Sequence, residues 1–189
     1  GRKHKKCCLG KEAASSRGPG WNPPTGVSDE LARFALRDLP REELDRAWSA
    51  FSGTEEPIAS ANPGGSEFSG FMDWLIQGWE TRGKTVIERF EAERGFLLGP
   101  RDAAQLTEIK ARAFGVFEVA EARPGSGVVL EDLFDGRRLD VHDVSASRNA
   151  VQWDLIASWV MPTKTPAELW GVGYPFPPSA KDDLKSALQ

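Results

Sequence analysis

Val116-Phe117-Glu118-Val119-Ala120-Glu121-Ala122, a turn at Pro124-Gly125-Ser126-Gly127, and then Val128-Val129-Leu130-Glu131-Asp132-Leu133-Phe134 decide the fold, because the hydrophobic spacing changes here. Apolar and charged positions mix in strand fashion in both runs, and the Pro-Gly-Ser-Gly cluster between them reads as a turn. Asp135-Gly136 is a hairpin signal. Leu139-Asp140-Val141-His142-Asp143-Val144 alternates apolar with polar, which predicts a strand with one buried face. After the polar stretch 145–149, residues 155–161, ended by Pro162, supply a fourth strand and residues 168–172 a fifth. Residues 114–176 are therefore expected to form a small antiparallel β-meander or half-open barrel. A helix over 180–188, in a closing segment 177–189, follows the break at 175–178.

Upstream of Gly115 the spacing is helical. Ser28 before Asp29 and Glu30 reads as an N-cap with acids in the first turn. Leu31, Phe34, Ala35 and Leu39 follow at helical intervals. Pro40 suits the first position of a second helix carrying Leu44, Ala47, Trp48 and Phe51. After a break from Gly53 to Gly65, Phe68, Phe71, Met72, Leu75, Ile76 and Trp79 form one apolar helical face. Thr85 and Glu88 have the spacing of a capping box, with Gly95 as the matching stop. Pro100 opens a helix through Ala103, Leu106, Ile109, Ala113 and Phe114. Residues 28–113 thus form an N-terminal helical region, and the chain belongs to the α+β class: a helical layer, then the β-domain.

The 189 residues carry 24 basic and 28 acidic side chains, a net of −4. That balance argues against a protein that coats duplex DNA through bulk charge. No run approaches the ~20 apolar residues that span a bilayer. The basic start leads into Cys7-Cys8 rather than an apolar stretch, so it lacks the pattern of a signal peptide. Two adjacent cysteines propose no internal disulfide framework, and the expected location is the reducing cytoplasm. The chain starts at Gly1 and reads as a piece of something longer.

Charge is uneven along it. Residues 1–17 hold Arg2, Lys3, Lys5, Lys6, Lys11 and Arg17 against Glu12, a local net of +5, which leaves −9 for the remainder. A Pro-, Gly- and Ser-rich linker, 13–27, joins the basic segment 1–12 to the body. Cationic neighbours favour the thiolate forms of Cys7 and Cys8. Thiolates are zinc ligands, but a structural zinc takes about four such ligands and this chain offers two.

Gly1-Arg2-Lys3-His4-Lys5-Lys6-Cys7-Cys8 resembles the second half of the SEC-C motif. That motif is the short zinc-binding element at the C-terminus of the preprotein translocase motor and in other bacterial proteins. Its pattern is C-x-C followed, eight residues on, by C-C or C-H, with a Gly-x-Lys-aromatic-Lys-x stretch before the last pair. His4 stands where an aromatic is usual, a position that is not a ligand in the family. The resemblance implies that Cys7 and Cys8 are the last two ligands of a zinc site whose C-x-C half would lie upstream of Gly1. On this reading the fragment alone binds zinc weakly. The body is also similar to bacterial proteins of unknown function that carry a SEC-C element. The likeness lies in Phe71-Met72-Asp73-Trp74, in Leu130-Glu131-Asp132-Leu133-Phe134-Asp135-Gly136, and in the stretch from Ser147 to Trp153-Asp154-Leu155. Trp153 there replaces the usual Gly.

Other candidates fall away. Gly125-Ser126-Gly127 lacks the Lys-Ser/Thr ending and the following helix of a phosphate loop. No Ser sits in a Gly-x-Ser-x-Gly elbow. His142 is expected on the solvent side of its strand. Asp132, Asp135, Asp140 and Asp143 lack calcium-loop spacing and read as a solvated acidic face. Trp48 and Trp79 are expected in the helical core. Trp74, Trp153, Trp159 and Trp170 are open to two readings, packing between helices and sheet or a partner groove. The reading that follows is a non-enzymatic, zinc-binding interaction module: Cys7 and Cys8 hold the metal, and Arg2, Lys3, Lys5 and Lys6 dock an acidic protein partner. The alternative is a nucleic-acid binder using the basic segment and β-surface aromatics. Acids outnumber Arg123, Arg137, Arg138 and Arg148 in the β-domain, which counts against it.

Overall fold

A computed structural model describes residues 26–188. Cys7, Cys8, Arg2, Lys3, Lys5 and Lys6, and with them the zinc and docking expectations, lie outside the described residues.

The helical layer consists of α1 (Val27–Asp38), α2 (Arg41–Ser52), α3 (Ser66–Gln77), α4 (Val86–Arg94) and α5 (Pro100–Lys110). Their apolar stripes meet in one core, in which Leu31, Phe34, Trp48, Phe71, Leu75 and Phe90 are buried. Edge-on ring contacts tie it together: Phe34 with Phe90 at 5.4 Å and Trp48 with Phe71 at 5.1 Å between centroids. The capping box is present. Thr85 Oγ1 accepts from the Glu88 amide, and Glu88 Oε2 accepts from the Thr85 amide at 2.9 Å.

Four local expectations are corrected. Ala113 and Phe114 lie beyond the end of α5 at Lys110, in a strand rather than in that helix. Gly26, not Ser28, precedes the first turn of α1, and Ser28 lies inside that turn. Gly95 is right-handed (φ −53°) and leads into a 3₁₀ turn, Gly95–Leu97, rather than stopping the chain in a left-handed cap. Trp79 falls beyond Gly78, which ends α3, and leads directly into a small hairpin that the helical spacing hid. That hairpin pairs β1 (Glu80–Thr81) with β2 (Lys84–Thr85) through Arg82 and Gly83, both at positive φ. Two positive-φ central residues are what a tight hairpin turn needs.

The sheet holds β3 (Ala113–Arg123), β4 (Gly127–Asp132), β5 (Arg138–Val141), β6 (Leu155–Met161) and β7 (Glu168–Phe176), all antiparallel, in the order β5-β4-β3-β6-β7. The long β3 bends at a bulge between Val119 and Glu121 and so pairs with both neighbours. The two outer ends approach each other. Ala167, in the β6–β7 connection, bridges Val141 of β5, donating to the Asp140 carbonyl at 2.7 Å and accepting from the His142 amide at 3.0 Å. The sheet is thereby drawn towards a half-open barrel around Phe117, Val119, Val128, Leu130, Val141 and Val160.

The strand read over 139–144 stops at Val141. Asp143 accepts from the Ala146 amide at 2.8 Å and turns the chain into α6 (Val144–Asn149), a helix not expected from the polar stretch. Buried Ser147 then accepts from the Gly125 amide at 3.0 Å, pinning α6 to the β3–β4 turn. His142 is exposed, as its alternation implied. Strand β7 runs four residues beyond its expected end. On the other face of the sheet, Val116, Leu133, Leu155 and Ala157 pack with Tyr174, Phe176 and α7 (Lys181–Ala187).

Candidate functional site

Cationic and apolar side chains converge on the helical layer where α1, the Gly95–Leu97 turn and the start of α5 meet. Because Gly95 does not terminate α4 with a left-handed cap, the tight turn throws Phe96 and Leu97 outward. They are 80% and 70% exposed, the two most exposed large apolar residues described. Beside them lies a groove of about 370 Å³ lined by Arg33, Phe34, Arg37, Arg94, Leu97 and Leu98, with Glu30 and Asp102 at its rim. Three guanidiniums against two carboxylates leave one positive charge in excess, on a body that is otherwise acidic. Arg94 lies over the Phe34 ring, 5.3 Å from its centroid, which fixes that guanidinium on an apolar base.

Polar groups also gather where α3 meets β7. Arg112, at the entry to β3, lies 3.7 Å above the Trp170 ring, and its Nε is buried without a hydrogen-bond partner among the described residues. Burial pushes the Arg112 pKa down to about 10 against the opposing pull of Asp73 and Glu108. Burial raises the Asp73 carboxyl, and Arg112 offsets this only in part. Burial, with the charges of Asp73 and Glu67, raises the Tyr174 phenol, whose hydroxyl is buried and unpartnered among the described residues. Two glycines make room. A Cβ on Gly70 would sit 1.7 Å from the Tyr174 hydroxyl, and one on Gly171 would sit 2.3 Å from Asp73 Oδ2. Perturbed titration concentrated in one place marks a candidate site.

The sequence pattern of a family of unknown function, DUF7986, matches residues 61–189, about two-thirds of the chain. The chain belongs to DUF7986. The matched stretch holds α3 to α7, the whole sheet, and therefore Phe96, Leu97, Asp73, Arg112 and Tyr174, whereas α1 and α2 precede it. No curated protein and no solved structure matches the chain. Among the described residues no helix is long and apolar enough to cross a membrane, and no three His, Cys, Asp or Glu side chains are placed to hold a metal ion.

The four tryptophans held open do not share one groove. Trp74 packs with Phe51, Phe71 and Trp79 at the edge of the helical core. Trp159 and Trp170 stand opposite each other in β6 and β7, with Phe114 against Trp159. Trp153 is 57% exposed in a separate turn and holds φ 78°, the left-handed region that favours glycine. Phe96, Leu97, Arg94, Arg112 and Tyr174 were not singled out from the sequence. An unbroken Phe96-Leu97-Leu98 run between a helix stop and a helix start was the available signal for the first of these.

Proposed function

We propose that the chain is a non-enzymatic interaction module that docks an acidic protein partner. Two cationic elements would serve it. One is Arg2, Lys3, Lys5 and Lys6 beside Cys7 and Cys8, which would hold zinc once an upstream C-x-C pair completes the set. The other is the Phe96–Leu97 turn with Arg37 and Arg94. The observation that carries the reading is this second face. Two adjacent large apolar side chains project into water next to the guanidinium of Arg94, which rests on the Phe34 ring, the composition of an interface hot spot with a charged surround. The guanidiniums of Arg37 and Arg94 favour an acidic partner and make docking salt-sensitive, because exposed charges are screened within about 8–10 Å at physiological ionic strength.

The test uses a fluorescein-labelled peptide of alternating Glu and Leu, titrated by anisotropy against a chain extended upstream of Gly1. Binding that weakens with added salt and falls at least tenfold in L97D supports the reading, as does one zinc per chain by atomic absorption. Tighter binding of single-stranded RNA than of the peptide would overturn it in favour of a nucleic-acid role. Absence of both peptide binding and zinc would overturn it outright.

A further inference from the structure

Arg112 and Asp73 present an opposite pair of charges that is not closed on itself. Each feels the other's charge, yet no ion pair within 4.0 Å joins them. Each is seated over one of two successive residues of β7. The guanidinium lies flat on Trp170, and the Asp73 carboxylate occupies the space that a side chain at position 171 would need. Gly171 has φ 70°, a conformation that keeps this place glycine and the carboxylate admitted. Trp170 is 38% exposed and Gly171 is exposed, so the shelf opens to solvent. The Arg112 Nε and the Tyr174 hydroxyl are buried and make no hydrogen bond with a described residue. A partly buried charge without a partner is costly, and such groups call for something to satisfy them.

We propose that Arg112 and Asp73, seated on Trp170 and Gly171, form a binding site for a free α-amino acid, its carboxylate on the guanidinium and its ammonium on the Asp73 carboxylate. Chemistry selects the zwitterion. A simple carboxylate drawn to Arg112 meets the negative charges of Asp73 and Glu108, and a simple amine drawn to Asp73 meets Arg112. A ligand that carries both charged groups on one carbon neutralises each side and leaves neither unpaired. Arg112 is suited to the anionic end, since a guanidinium held flat on a ring directs its in-plane N–H groups as a fork to a carboxylate. The site is independent of the docking face on the Gly95–Leu97 turn.

The experiment is a thermal-shift screen of the full chain against each of the twenty amino acids at millimolar concentration, followed by calorimetric titration of any that respond. One amino acid or a few related ones should raise Tm by about 5 °C when present at a hundredfold excess over Kd. The methyl ester of that amino acid, which lacks the carboxylate, and its N-acetyl form, which lacks the ammonium, should bind at least tenfold more weakly. D73N and R112K should each lose at least tenfold in affinity. D73N keeps the shape of the side chain and removes a charge that burial disfavours, so it should stay folded, and an unchanged circular-dichroism spectrum checks that it does. The proposal is overturned if no amino acid shifts Tm, the outcome expected of a shelf filled by water only. It is equally overturned if the ester and acetyl forms bind as well as the free amino acid, or if a folded D73N binds like the natural chain.

Discussion

At Gly70 a helix carries a bare α-carbon because a tyrosine hydroxyl from the sheet rests where a methyl would go, 1.7 Å from the place of a Cβ. G70A should therefore cost about 1–3 kcal/mol by overpacking, measured by urea denaturation. In the background of Y174F, which removes the colliding oxygen, most of that cost should vanish, and the ~1 kcal/mol advantage of alanine over glycine in a helix should come through. Glu43 has a different role. Its Oε1 accepts from Trp79 Nε1 at 2.9 Å and from Thr81 Oγ1 at 3.2 Å, and Arg46 donates to its Oε2. Burial raises the Glu43 pKa, but these donors together lower it further, to a net value below the ordinary one. A depressed folded-state pKa gives stability that is present above the unfolded value of about 4.3 and lost as pH falls through the folded one. E43Q should accordingly cost about 1–3 kcal/mol at neutral pH, with the gap closing below about pH 4. Trp153 holds a left-handed backbone with more than half of its surface in water, so W153G should raise stability by about 0.5–1 kcal/mol in urea denaturation.

Among the elements, those announced by local chemistry were the legible ones. The Thr85–Glu88 box is visible as two residues three apart, and T85A should cost about 1 kcal/mol of stability in chemical denaturation. Likewise β6 runs over 155–161 as its apolar run and terminal Pro162 require. Elements decided by a contact from elsewhere in the chain were not legible. Asp143 breaks the alternation of 139–142, but that it starts a helix is told only by its carboxylate accepting from the Ala146 amide, and Ser147 looks like linker until Gly125 donates to it. The β1–β2 hairpin was hidden because Trp79 also completes the helical spacing of α3. Of the candidate site, the aromatic residues could be enumerated but not grouped. Nothing at positions 112 and 170 tells that a guanidinium will lie on that ring, since they are far apart in the chain and β6 runs between β3 and β7 in the sheet. The same limit held for Asp73, whose place opposite Gly171 depends on how α3 docks on β7.

For the molecule as a whole, helices and strands keep separate apolar cores, joined where α3 docks on β7. Only the strand half has to solve the problem of a rim. Either margin of an open five-stranded sheet would offer bare amides and carbonyls to any extended chain that drifts past. The β6–β7 connection covers one of these margins, because Ala167 occupies the donor and acceptor that β5 would otherwise show to solvent at Asp140 and His142. Replacing the amide that makes this clasp, in A167P, should leave the helical half folded by circular dichroism while the protein self-associates in light scattering as its concentration rises. The short bridge at Val141 is thus a guard against unwanted company: a single residue borrowed from the far margin keeps one chain from templating the next.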